Sequence, residues 1–268
     1  MLRLSVLALL ACALPRPAAA DAVPQDLAAP AHRRPLVAVI DSGVARTAEL
    51  APWLVGEYDA GSPDAPRPAF APRYDHGTMV ATILLRAARE PIDIVSIRMD
   101  DPRGCPAGAA PPCQPSAAPV AAAIRKATSL GVDAINLSLA LEDHPAIVAA
   151  VREAADRGIL VVMAAGNQGL DHPGNLSMAE AAYPRSVLVG ALDASGQVWS
   201  GTNRPGAVGG RYEYAWQNGV KVPTVNAAGN AAWATGTSFA APFETAKRLT
   251  WAGRPEATAG GSRTVALR

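Results

Sequence analysis

The 268-residue chain carries almost no net charge, 24 Lys and Arg against 23 Asp and Glu, and its basic residues do not cluster. Polyanions are bound through a concentrated positive field, so no electrostatic case exists for nucleic acid or an anionic membrane surface. The N-terminal apolar run, Leu4 to Leu14, is too short to span a bilayer. No Gly-rich phosphate loop follows any apolar run, which argues against a nucleotide cofactor, and no cofactor is expected. The chain has no internal repeat and no linker long enough to divide it. No histidine lies near Cys105 or Cys113, so a metal centre there has little support.

What remains is 50% hydrophobic and 18% charged, enough to bury one sizeable core. Arg3, the Leu4–Leu14 run and Ala18-Ala19-Ala20 before Asp21 read as an export signal cleaved after Ala20. That divides the chain into a signal peptide (1–20), a short extension (21–35) and one domain (36–268), exported to the periplasm or the exterior. Lipid attachment at Cys12, in "LLAC", is the weaker reading because the signal would be so short. Cleavage leaves Cys105 and Cys113, inside the loop-forming stretch "DPRGCPAGAAPPCQP". In an exported chain this pair predicts a disulfide that stabilises by roughly 2–3 kcal/mol.

Short apolar runs alternate with helical patterns. "LVAVI" (36–40) is followed by a helix from about His76, "IDIVSI" (92–97), a helix around 117–129 and "AINLSL" (134–139). A helix near 145–156, "ILVVMAA" (159–165) and "VLVGAL" (187–192) continue the series. Runs that are continuously apolar predict strands covered on both faces, hence an α/β, doubly wound, mostly parallel sheet. Catalytic groups in such sheets gather beyond the carboxyl ends of the strands.

Asp41 ends the first run, His76 opens a helix in "YDHGTMVATILL", and Ser238 opens another in "TGTSFAAP". Each alone has an ordinary structural reading: a turn, a surface or capping histidine, an N-cap. Together they are the three groups nucleophilic acyl transfer needs, a carboxylate to orient the base, a base and a nucleophile. His32, His144 and His172 lie in polar or loop contexts without comparable framing. The G-x-S-x-G hydrolase plan is excluded because no histidine follows Ser238.

In this order the motifs resemble the subtilisin-like serine proteases. "VAVIDSGV" resembles that family's aspartate motif, "DHGTMVATI" its histidine motif and "GTSFAAP" its serine motif. "INLSLA" and "VVMAAGNQG" resemble its substrate-binding strand and oxyanion segment, followed by "YPRSVLVGALDASGQVWSGTN". The likeness runs from about Leu36 to Leu249 and implies an endopeptidase acting on extended polypeptide. It assigns Asp41, His76 and Ser238 to a triad and Asn167 to the oxyanion hole. Ser138, Leu139, Ala140 and Ala164, Ala165, Gly166 become the walls of the specificity pocket.

The chain departs from the family pattern at several points. Met79 replaces a usual second histidine, Phe243-Glu244 a usual His-Val, and Ala140 a common glycine whose missing methyl would leave substrate more room. Only residues 21–35 stand where a sizeable pro-domain is often found, which leaves a separate inhibitor or folding partner open. The His76 region passes directly into "IDIVSI", without room for the calcium-binding loop of many relatives, so no metal is implied. The competing reading keeps the protease-like fold for binding a peptide or partner, with weak or no catalysis.

Overall fold

The structure, a computed structural model, describes residues 34–65, 67–109, 111–114, 116–206 and 210–252, the side chains as far as Leu249. The signal peptide, Cys12 and the extension before Arg34 lie outside the described residues. Seven strands form one sheet: β1 (Leu36–Asp41), β2 (Leu54–Asp59), β3 (Asp93–Arg98), β4 (Ala134–Leu137), β5 (Leu160–Ala164), β6 (Ser186–Leu192) and β7 (Tyr214–Asn218). Their order is β2-β3-β1-β4-β5-β6-β7, and every neighbouring pair is parallel. The hairpin β8 (Val222–Val225) and β9 (Ala231–Ala234) stands apart as a two-stranded antiparallel sheet.

Parallel neighbours require long crossovers, and those crossovers bury both faces of the sheet. Along β1 the side chains divide accordingly. Val37 and Val39 join a core with Val80, Ile83 and Leu84 of α1 (His76–Ala87) and Phe239, Ala246 and Leu249 of α5 (Thr237–Ala252). Ala38 and Ile40 pack in the opposite core with Val120 and Ile124 of α2 (Ala117–Ser129) and Ile147 and Val151 of α3 (Pro145–Asp156). A short α4 (Leu176–Ala181) closes that second face through Met178 and Ala179. The doubly wound α/β class read from the sequence is the observed one.

The apolar runs at 36–40, 92–97, 134–139, 159–165 and 187–192 fall on β1, β3, β4, β5 and β6, although β4 leaves the ladder at Leu137. β2 and β7 escaped the sequence reading because they are the two edges. Their residues are mostly half-buried, so neither forms a continuous apolar run. β2 and β3 lie on one side of β1, whereas β4 to β7 build outward on the other. The winding therefore reverses between β1 and β4, and such a switch point opens a crevice at the carboxyl ends of those strands.

Candidate active site

Asp41 is the last residue of β1 and is fully buried, on one side of that crevice. Its Oδ1 accepts the Ser42 N–H at 2.7 Å and lies 3.2 Å from the Ser42 hydroxyl. His76 is the first residue of α1, and its Nδ1 stands 2.9 Å from both carboxylate oxygens of Asp41. A carboxylate can only accept, so Nδ1 carries the proton, and Nε2 of the neutral ring is left as an acceptor. Burial by itself would depress the imidazole's proton affinity, but the Asp41 charge and hydrogen bond outweigh it and hold the His76 pKa above its usual value. The approach depends on Gly77, where a Cβ would fall 2.3 Å from the Gly43 carbonyl oxygen and 3.1 Å from Asp41 Cβ.

Ser238 is the second residue of α5 and is only 6% exposed. Its N–H belongs to the first helical turn, where no intrahelical acceptor exists. Pro242 stands four residues on, so the N–H that would have bonded the Ser238 carbonyl is missing. The Ser138 hydroxyl fills that place and donates to the Ser238 carbonyl at 2.6 Å. Asn136 Nδ2 donates to the same Ser138 hydroxyl at 2.9 Å, and Thr245 of α5 donates to Asn136 Oδ1 at 2.9 Å. β4 and α5 are thus joined directly beneath Ser238. No hydrogen bond joins Ser238 Oγ to His76; instead the Phe239 ring packs on the imidazole, with centroids 5.1 Å apart. In free enzymes such catalytic bonds are often long and tighten only when substrate is bound.

Asn167 follows β5 on an exposed turn, yet its amide is held fast. Oδ1 accepts the Thr237 N–H at 2.9 Å and the Thr237 hydroxyl at 2.8 Å. A backbone N–H can only donate, so the oxygen must face α5 and Nδ2 must turn the other way. Thr237 Oγ1 also accepts the Gly166 N–H at 3.2 Å, which ties the turn to the helix at two points. A hydrogen-bond donor set beside the start of α5, where unpaired N–H groups favour anions, suits an oxygen that gains negative charge.

Of the two predicted pocket segments, 138–140 follows β4 and 164–166 begins on the last residue of β5. Leu139 and Ala165 turn into the core, whereas Ala140 is exposed; Ser138, Ala164 and Gly166 are buried. Asn175 Nδ2 holds the Ala164 carbonyl at 3.1 Å. Cys105 and Cys113 form a disulfide with Cα atoms 5.3 Å apart. His144 caps α3, its Nδ1 accepting the Ala146 N–H, and His172 is exposed, so neither meets the site.

Sequence reasoning missed the groups that hold these residues. Thr237, Asn136 and Thr245 are among them, and Pro242 was the available signal, since a proline inside a helix orphans a carbonyl that some donor must satisfy. A buried ion pair below the Asp41 turn was also missed. Glu57 pairs with Arg98 at 3.3 Å, accepts the Ser96 hydroxyl at 2.9 Å and takes the Val44 N–H at 3.4 Å.

The chain belongs to the subtilase family, whose sequence pattern matches residues 32–247. It is therefore of the serine-type peptidase class, enzymes that act on polypeptides. Among solved structures it is similar to a cold adapted subtilisin-like serine proteinase, with a TM-score of 0.65 and 21% identity, covering 81% of this chain and 74% of that one. That likeness is one of fold. None of the curated proteins matches.

Proposed function

We propose that this chain is an exported serine endopeptidase in which Asp41, His76 and Ser238 form the triad. Ser238 Oγ attacks the scissile carbonyl while His76 Nε2 takes its proton, and Asp41 stabilises the resulting imidazolium. Asn167 Nδ2 and the Ser238 N–H donate to the tetrahedral oxyanion. His76 then protonates the leaving amine, and a water activated by His76 hydrolyses the acyl ester. Residues 138–140 and 164–166 flank the substrate, whose extended backbone lies along them. One domain spanning residues 36–268 carries the reaction.

The observation that carries this reading is the buried Asp41 carboxylate against His76 Nδ1, which leaves Nε2 of the neutral ring as the acceptor, with Phe239 of the first turn of α5 packed on the imidazole. Export rests on the N-terminal signal pattern and is supported by the disulfide, which persists in oxidising compartments. Among the described residues no helix is long and apolar enough to cross a membrane.

Peptide hydrolysis and thermal melting of wild type and Ser238→Ala test the reading together. Loss of the nucleophile removes several orders of magnitude of rate while the fold survives, whereas loss of a serine that only fills the first turn of α5 spares activity. A well-folded alanine variant that cleaves near the wild-type rate overturns it.

A further inference from the structure

The disulfide-closed loop has no task in the reaction above, yet Tyr74 ties it to the site. Tyr74 stands two positions before His76, and its phenol oxygen accepts the Cys105 N–H at 2.9 Å. The packing is close: a Cβ on Gly104, which sits at φ +99°, would lie 2.5 Å from Arg73 Nη1 and 3.2 Å from the Tyr74 hydroxyl. The loop is anchored where it leaves β3 and closes on itself at its base. Met99 donates to the Asp41 carbonyl at 3.0 Å, and Asp101 donates to the Cys113 carbonyl at 2.8 Å.

The other side of Tyr74 faces the triad aspartate. Its carbonyl lies 3.4 Å from the Ser42 hydroxyl, whose one proton sits between that carbonyl and Asp41 Oδ1 at 3.2 Å. The Gly77 N–H donates to the same hydroxyl at 3.4 Å. Loop, Tyr74, Ser42 and Asp41 thus form a continuous chain that brackets the residue carrying the imidazole.

We infer that Tyr74 is a positioning residue, whose hydroxyl uses the Cys105–Cys113 loop as a fixed post and so sets where His76 meets Asp41. A loop closed by a disulfide has few conformations, so a bond to its backbone places Tyr74 more narrowly than a bond to an open loop would. Small displacements of a catalytic group are costly, which makes such a post useful to the reaction. The effect on turnover rests on the proposed function; the effect on His76 does not.

The imidazole is a clean reporter. Asp41 faces it from β1 and the uncharged Phe239 ring from α5, while the neighbouring Asp75 carboxylate is engaged by the Ala227 N–H at 2.9 Å. Among the described residues no other charged group contacts it.

Four samples are compared: wild type, wild type with the disulfide reduced, Tyr74→Phe, and Tyr74→Phe reduced. The titration of the His76 ring is followed by NMR, with kcat, KM and melting temperature on the same samples. Either perturbation lowers the His76 midpoint toward the ordinary imidazole range, the two together lower it no further, and kcat falls about three- to tenfold with KM little changed. A Tyr74→Phe protein that melts lower but titrates His76 as wild type makes the residue a structural contact and overturns the inference. Additive effects overturn it as well, because Tyr74 would then not act through the loop. Should reduction unfold the chain, Tyr74→Phe with its disulfide intact decides alone. A wild type that cleaves nothing refutes the protease reading, while the titration still decides the role of Tyr74.

Discussion

Replacing Thr237 by valine keeps the volume of a fully buried side chain and removes only its hydroxyl. That hydroxyl gives Asn167 Oδ1 one of its two donors and gives the Gly166 N–H its acceptor. A typical hydrogen bond contributes about 0.5–1.5 kcal/mol net, so the preference of the Asn167 amide for its donating orientation weakens roughly two- to tenfold. The Thr237 N–H still holds Oδ1, which sets the limit. kcat should therefore fall by about that factor with KM steady. Asn167→Ala, which removes the donor altogether, should cost roughly a hundred- to a thousandfold, the magnitude known for an oxyanion donor in a member of this same family. Orphaning the buried Gly166 N–H costs about 1–3 kcal/mol, a fall of roughly 2–12 °C in melting temperature. Thr237→Ser keeps the hydroxyl and most of the rate. Steady-state kinetics and calorimetry on the three variants check this. A Thr237→Val enzyme as slow as Asn167→Ala, or one that changes only KM, refutes the argument that Thr237 orients the amide.

The pH dependence follows from His76, whose raised pKa places the loss of its proton above the ordinary imidazole value of about 6.5. With His76 as the proposed base, activity needs the neutral ring, so kcat/KM should rise with pH through that higher midpoint. The imidazolium–Asp41 pair stabilises the fold fully below the unfolded value, and this contribution is lost as pH rises through the folded one. Melting temperature and activity should thus move in opposite directions across this window, and a flat rate profile from about pH 5 to pH 8 counts against His76 as base. Arg98→Met leaves the Glu57 carboxylate buried without its cation, with side chains only 2% and 4% exposed in the native pair. Breaking a buried pair from one side costs about 3–5 kcal/mol, so the protein should melt roughly 6–20 °C lower. Glu57→Gln combined with Arg98→Met should recover part of that loss; a variant that melts as wild type contradicts the burial argument.

Strands covered on both faces were legible because burial imposes one continuous apolar run, as in "LVAVI" of β1. The hairpin of β8 and β9 was not, since Pro223, Ala231 and Trp233 are exposed and leave no such pattern. The same contrast holds at the site. The residues proposed as the triad, Asp41, His76 and Ser238, stood out in the sequence because each sits near an element boundary with a distinctive neighbourhood. Thr237 and Tyr74 did not, because their hydrogen-bond partners, Asn167 and Cys105, lie far along the chain. A threonine opening a helix and a tyrosine in a loop look ordinary until the fold brings those partners to them.

Ser238 as the nucleophile is tested most directly by reacting the folded, purified protein with a fluorophosphonate and locating the adduct by mass spectrometry. A hydroxyl relieved of its proton by His76 should be phosphonylated once, on the peptide containing Ser238, with labelling lost in both Ser238→Ala and His76→Ala. A folded wild-type protein that stays unlabelled, or carries the adduct on another residue, contradicts the account.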